Sequence, residues 1–281
     1  MKRFLLLLIS AIVWLTAVPG VAGGSPIRYV ALGDSYSSAP GMLTPVPGSP
    51  LLCTRSRFNY PNVLAAATGW ELVDRSCASA MTEHMTTAQY PDQPPQFDAL
   101  DAGTQIVTYQ AGGDDNGMFQ TLVLSCVGLN IANAFNIGAP CRDTYGSRFS
   151  DEIAAGAPKI GATIAEIHTR APNAQVYVLG YPAVLPETGS CWPQVPLSDG
   201  DVTYTRDIEK QLNAVLREQA AANGATYIDL YTPTLGHDTC QDAATRWVEP
   251  PIPSHLNANP VHPNATGQVV TANIVRAVIG R

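Results

Sequence analysis

Short apolar runs alternate with longer amphipathic stretches along this chain. The apolar runs cover residues 27–32, 105–109, 175–179 and 226–230, and each has the length and continuity of a strand buried on both faces. Strands that alternate with helices pair in parallel through right-handed crossovers. The pattern therefore predicts an α/β fold, a three-layer α/β/α sandwich with helices on both faces of a central parallel sheet.

The longer stretches predict four helices. Helical spacing of apolar residues and suitable stop signals place them over residues 60–68, 151–170, 202–222 and 266–279. We expect Pro158 to kink or split the second helix, because proline lacks the N–H that a helix interior requires.

Two segments rich in proline fit neither pattern, residues 38–50 and 250–263. We expect both to be loops. In open α/β sheets, ligands bind where loops leave the carboxyl ends of the strands, so both segments are candidates to border a binding site.

The first 22 residues are typical of a secretory signal peptide. Lys2 and Arg3 precede an apolar run over residues 4–13, and small residues occupy positions 20–22. The run is shorter than the roughly 20 residues that a membrane-spanning helix needs. We therefore expect a leader over residues 1–22, no stable membrane insertion, and one domain over residues 23–281 in a secreted, extracellular or cell-envelope protein.

Six cysteines follow this leader. They are Cys53, Cys77, Cys126, Cys141, Cys191 and Cys240. Their spacing is too wide for a C-x-x-C metal site, and thiols pair in an oxidising compartment, so we expect disulfides and no metal. Six cysteines can pair in many ways, of which pairing in chain order (53 with 77, 126 with 141, 191 with 240) would close three modest loops.

The composition restricts the class of protein further. Hydrophobic residues make up 46% and charged residues 14%, with 23 Gly and 23 Pro, which indicates a packed core with many turns and excludes disorder and coiled coil. The formal charge of −7 should repel nucleic acid. We expect a monomer.

A serine and a histidine far apart in the chain carry the candidate chemistry. The sequence Gly-Asp-Ser-Tyr-Ser at residues 33–37 directly follows the first predicted strand, so Ser35 should lie in a tight turn at the carboxyl edge of the sheet. A serine hydroxyl needs a base within hydrogen-bond reach to become a nucleophile. His262, between two prolines just before the last predicted helix, is the candidate base; a turn serine and a loop histidine are the structural alternatives.

Together, these two motifs resemble those of the GDSL/SGNH hydrolase superfamily. Length, cysteine spacing, an early serine and a late histidine are similar to those of its secreted actinobacterial lipases and esterases. The resemblance implies a flavodoxin-like strand order, Ser35 as nucleophile, His262 as base and no cofactor. It also implies an oxyanion hole made from the serine amide, the amide of a glycine and the side chain of an asparagine.

At three positions the sequence departs from the family pattern. Ser79 stands where the glycine is usual, which leaves the amide but requires Ser79 to adopt the backbone angles of a glycine. Asp114 replaces the asparagine, and an ionised carboxylate cannot donate a hydrogen bond. Asp114 therefore either works protonated or leaves a hole of two amides. Asn259 stands where many relatives have the acid that orients the histidine, so either Asn259 or a nearby backbone carbonyl has that role.

The sequence thus predicts a secreted serine ester hydrolase, an esterase or lipase that forms an acyl-serine intermediate. Its expected substrate is a small-molecule or lipid ester. Two alternatives stay open at this point: an exported acyltransferase that uses the same residues, and a binding protein that kept the fold but lost efficient catalysis. The acyl chain and the alcohol of the ester are not indicated.

Overall fold

The computed structural model describes residues 25–133, 136–252 and 258–280. The predicted leader lies outside these residues. The strands are β1 (Arg28–Gly33), β2 (Glu71–Asp74), β3 (Ile106–Gln110), β4 (Gln175–Leu179) and β5 (Thr226–Ile228). The helices are α1 (Ser35–Ser38), α2 (Tyr60–Thr68), α3 (Met118–Gln120), α4 (Val127–Ala132), α5 (Pro140–Tyr145), α6 (Arg148–Arg170), α7 (Asp199–Ala222) and α8 (Ala265–Ile279), with a π-helical segment, Thr121–Cys126, between α3 and α4.

The five strands form one parallel sheet in the order β2-β1-β3-β4-β5. This order confirms the predicted flavodoxin-like arrangement. The chain moves outward from β1 first to one side and then to the other, so the carboxyl ends of β1 and β3 border the crevice where such folds bind ligands. The edge strand β2 is absent from the sequence prediction because it contains only two apolar residues, Leu72 and Val73.

The side chains of β1 alternate between two cores, as those of a central strand must. Val30 and Leu32 face one core, where they pack with α6 and α7. Tyr29 and Ala31 face the other core, where they pack with α2 and α8. Helices therefore cover both faces of the sheet, which confirms the predicted three layers.

The four predicted helices are present, and α6 continues through Pro158 as one helix, so a split at this proline is wrong. Pro158 lies on the exposed side of α6, where water can satisfy the carbonyl that loses its helical donor. Asn264 caps α8, because its side chain accepts a hydrogen bond from the Gly267 amide at 3.1 Å. Among the described residues, no helix is both long and apolar enough to cross a membrane.

Three disulfides join the cysteines in chain order: Cys53–Cys77, Cys126–Cys141 and Cys191–Cys240. This pairing confirms the sequential alternative. The bonds close loops with sequence separations of 24, 15 and 49 residues. Every bond lies in connections that leave the carboxyl ends of strands, so the disulfides restrain the edge of the sheet that carries the candidate site.

Candidate active site

Ser35 begins helix α1 immediately beyond the end of β1. Asp34 caps this helix, because its side chain accepts a hydrogen bond from the Tyr36 amide at 2.9 Å. The backbone amide of Asp34 donates to the Gln110 carbonyl of β3 at 3.0 Å. Gly33 is required here, because a Cβ at this position would lie 2.7 Å from the Gln110 carbonyl oxygen. The turn therefore fixes Ser35 at the carboxyl edge of the sheet, between β1 and β3.

His262 reaches Ser35 from the other end of the chain. Its Nε2 lies 2.8 Å from the Ser35 Oγ. Two backbone hydrogen bonds to Glu249 hold its loop, one accepted by the His262 carbonyl at 3.0 Å and one donated by the Val261 amide at 2.9 Å. The Tyr36 hydroxyl donates to the Val261 carbonyl at 2.7 Å. The nucleophile turn and the histidine loop are thus bonded to each other directly.

The second nitrogen of the imidazole, Nδ1, lies 2.8 Å from the carbonyl oxygen of Pro260. A carbonyl only accepts, so Nδ1 carries the proton and the lone pair of Nε2 faces the Ser35 hydroxyl. Burial lowers the pKa of His262 to about 4, although the Pro260 carbonyl acts in the opposite direction. The imidazole is therefore neutral at pH 7 and can accept the proton of Ser35.

Of the two orienting groups that the sequence leaves open, this contact favours the backbone carbonyl, that of Pro260, over the Asn259 side chain. Asn259 contributes through its backbone instead: its carbonyl accepts from the His262 amide at 3.2 Å, and its amide donates to the Pro40 carbonyl at 2.9 Å. The physical reason is the backbone at Val261, whose φ of 61° is left-handed. Such a turn brings the ring of His262 back over the carbonyl two residues earlier.

Ser79 adopts the left-handed backbone of the glycine that it replaces, with a φ of 60°. The Cys77 amide donates to the Gly33 carbonyl at 3.0 Å and so fastens this turn to the end of β1. In the part of the chain that the structure describes, no hydrogen bond uses the amide of Ser35 or that of Ser79. Both N–H groups are therefore available to an anion.

Asp114 lies just beyond β3, with only 4% of its surface exposed. The side-chain amide of Gln120 donates both to Asp114 Oδ1 at 2.9 Å and to Ser79 Oγ at 3.4 Å, so it brings the two residues together. Burial raises the pKa of Asp114 to about 6, and the charge of Asp115 acts in the same direction. Among the described residues, Asp114 Oδ2 has no hydrogen-bond partner.

Tyr181, which sequence reasoning missed, connects two parts of the site. Its hydroxyl accepts from the Gly113 amide at 3.0 Å and donates to Asp34 Oδ2. Burial, reinforced by the nearby Asp114, raises the pKa of Asp34 well above its usual range. Tyr181 lies two residues beyond β4, and this position at the carboxyl edge of the sheet was the available signal.

An apolar cavity of about 110 Å³ adjoins the imidazole. The rings of Tyr36 and Phe119, which line it, have their centres 5.1 and 5.3 Å from the centre of the His262 ring. Leu122, Val123 and Val127 form a wall of the cavity together with Val184, Leu185, Val195 and Leu197. Among the described residues, no group of three or more His, Cys, Asp or Glu side chains could hold a metal ion.

The sequence and the fold both match known proteins. The sequence model of the GDSL-like Lipase/Acylhydrolase family matches residues 31–270. Lipase 2 of Streptomyces coelicolor is 43% identical over 269 residues, which cover 94% of this chain and 90% of the relative. Phospholipase A1 from Streptomyces albidoflavus has a similar structure, with a TM-score of 0.74 and 27% identity, covering 90% of this chain and 99% of that chain. The structure of the extracellular lipase from Streptomyces rimosus is also similar, with a TM-score of 0.73 and 28% identity. The match covers 89% of this chain and 99% of that lipase.

Proposed function

This chain belongs to the GDSL-like lipase/acylhydrolase family and is a carboxylic ester hydrolase, and we propose that Ser35 is its nucleophile and His262 its general base. One observation carries the proposal. The Nε2 of a neutral, buried imidazole lies 2.8 Å from the Ser35 hydroxyl oxygen, within the range in which a base removes a proton.

Acylation begins when Ser35 Oγ attacks the carbonyl carbon of the ester and its proton passes to His262 Nε2. The imidazolium is stabilised by the Pro260 carbonyl, which accepts the Nδ1–H at 2.8 Å. The same proton then moves from Nε2 to the leaving alcohol, and the acyl group remains on Ser35. Water repeats both steps, with His262 as base, and releases the acid.

The amides of Ser35 and Ser79 bind the oxyanion of each tetrahedral intermediate. We assign the third donor to Asp114 in its protonated form. The Gln120 side-chain amide donates to Asp114 Oδ1, so we place the acidic proton on Oδ2. From there it would donate to the oxyanion. A buried carboxylic acid can donate a hydrogen bond in this way, and one such donor contributes about 10²–10³ to the rate.

The apolar cavity beside His262 receives the acyl chain of the substrate. Its lining is mostly aliphatic and aromatic, with Thr205, Glu209 and Thr239 as the polar members, which suits a hydrocarbon chain. The relatives that are named lipase and phospholipase A1 favour a lipid ester as substrate. We further propose that residues 1–22 are removed on export, and that the secreted protein acts as a monomer.

The assignment is tested with soluble p-nitrophenyl esters of increasing chain length. We expect Ser35→Ala and His262→Ala to lower kcat by at least about 10³-fold. Ser38→Ala is the matched control, because this hydroxyl lies in the same helix and has no hydrogen-bond partner among the described residues. It should leave kcat unchanged.

A fluorophosphonate probe gives a second measurement. Labelling followed by peptide mass spectrometry should find the adduct on Ser35 in the wild type and no adduct in Ser35→Ala. An adduct on another residue, or full ester turnover by Ser35→Ala, would refute the assignment. Turnover that rises with added alcohol would indicate acyl transfer in place of hydrolysis.

A further inference from the structure

Three long stretches of the chain that border the site contain no charged residue. Beyond the predicted leader, the three longest stretches without Asp, Glu, Lys or Arg cover residues 35–54, 116–141 and 250–275. The first begins with Ser35, the second includes the cavity wall at Phe119, and the third contains His262. Asp34, Asp114 and Glu249, three acidic residues close to the ends of these stretches at the site, are all buried.

The same stretches expose large apolar side chains to solvent. Eight of the eleven large hydrophobic residues exposed among the described residues lie there, one of them, Val269, on α8. The other seven precede α8: Leu43, Leu51, Leu52, Leu124, Ile131, Ile137 and Ile252. Leu124 is 72% exposed and Ile137 is 68% exposed. Single exposed leucines are ordinary, whereas a group concentrated around one site indicates an interaction surface. We call these seven residues the apolar rim.

The rim is continuous with the cavity in the second stretch. Leu122 and Val123 line the cavity, while Leu124, the next residue, points to solvent. Ile252 likewise follows Pro251, which lines the cavity. Apolar side chains therefore continue from the cavity wall onto the protein surface at two places.

In the first stretch, the rim adjoins the other side of the site. Leu51 and Leu52 precede Cys53, whose disulfide to Cys77 holds the turn of Ser79. The Pro40 carbonyl accepts the Asn259 amide at 2.9 Å, which ties the beginning of this loop to the histidine loop. Apolar groups thus lie on the oxyanion side of the site as well as on the cavity side.

We propose that the apolar rim docks on the surface of a lipid aggregate whose headgroups are zwitterionic, so that the site meets the ester at the surface. The inference rests on the proposed function and adds the surface through which it acts. Apolar side chains enter the boundary between headgroups and acyl chains, and no charge has to be buried in these stretches. The formal charge of −7 opposes binding to an anionic surface.

The test measures binding of the Ser35→Ala protein to phosphatidylcholine vesicles by co-sedimentation. Leu124→Ser with Ile131→Ser should weaken partitioning by about tenfold or more per replaced side chain. Leu235→Ser with Val278→Ser is the control, because these side chains are also exposed, 40% and 46%, and lie outside the three uncharged stretches. The control should bind like its parent.

Soluble p-nitrophenyl butyrate separates this inference from the proposed function. With Ser35 intact, the rim variant should keep the wild-type kcat/KM on this monomeric ester and the wild-type Tm. Equal vesicle binding by rim and control variants, no binding by the parent, or binding only when anionic lipid is added would overturn the docking surface. Turnover of the soluble ester by Ser35→Ala would refute the nucleophile and leave the vesicle result standing.

Discussion

Asp114→Asn is the substitution that examines the oxyanion hole most directly. An asparagine keeps the oxygen that accepts from Gln120 at 2.9 Å and replaces the second oxygen with an amide that donates at every pH. In the proposed mechanism, the third donor exists only while Asp114 is protonated, and the pKa of Asp114 is about 6. The substitution therefore removes a pH dependence without changing the shape of the site.

Two pKa values define the expected profile of the wild type. Below about pH 4, His262 is protonated and cannot act as base, so kcat/KM rises as pH increases through this value. Above about pH 6, Asp114 loses its proton, so kcat/KM falls as pH increases further. At pH 8, two units above this pKa, about 1% of Asp114 is still protonated. We therefore predict that kcat/KM falls roughly 100-fold by pH 8, which is within the factor of 10²–10³ that one donor contributes.

The assay is kcat/KM for p-nitrophenyl butyrate between pH 4 and pH 9, followed by a method that does not depend on the ionisation of the released phenol. Asp114→Asn should match the wild type near pH 5, exceed it by about 100-fold at pH 8, and lose the alkaline limb. Asp92→Asn, at an exposed carboxylate, is the control for net charge. Identical profiles for Asp114→Asn and the wild type would refute a protonated Asp114.

Three further outcomes follow from the site. Tyr181→Phe removes the hydroxyl that bonds the Gly113 amide and Asp34 Oδ2. We expect the free energy of unfolding in urea to fall by about 1–3 kcal/mol, and an unchanged value would contradict this. Ser79→Ala keeps the backbone amide and should retain kcat/KM within about twofold. Ser79→Gly should raise the free energy of unfolding in urea by up to about 1 kcal/mol, because glycine adopts a left-handed φ without a side-chain penalty. Glu249→Gln removes the charge that pairs with Arg246 at 2.7 Å in the core; we expect a loss of about 3 kcal/mol or more and a lower Tm, and an unaltered Tm would count against the pair.

The sequence predicts the central part of this fold because the central strands are buried on both faces. β1, β3 and β4 are near-continuous apolar runs, and only a parallel sheet under two helical layers requires such runs. The edge strand β2 pairs with β1 alone, so its polar ends, Glu71 and Asp74, are tolerated. At β2 the apolar pattern by which a strand is recognised is therefore lost, whereas β5, the other edge strand, lies within a predicted apolar run.

In the candidate site, too, some residues could be predicted from the sequence and others could not. Ser35 and His262 are visible because each belongs to a local motif next to a predicted element. Gln120 is invisible in sequence, because its function depends on meeting Ser79, 41 residues away. The left-handed φ of Val261 is equally invisible, since a β-branched residue is an unusual choice for that conformation. Such strain requires a surrounding structure that imposes it.

The partner of the imidazole is a main-chain oxygen, that of Pro260. Every amino acid supplies such an oxygen, so the chemical identity of the side chains at positions 259 and 260 is not what keeps the proton on Nδ1. What has to be inherited is the path of the backbone through Val261. A comparison of relatives that looks for an invariant acid near the histidine would therefore miss a working pair, whereas a comparison of backbone angles would find it. For protein engineering, the side chain of Asn259 can be varied in a library to any residue that keeps the backbone amide bonded to Pro40.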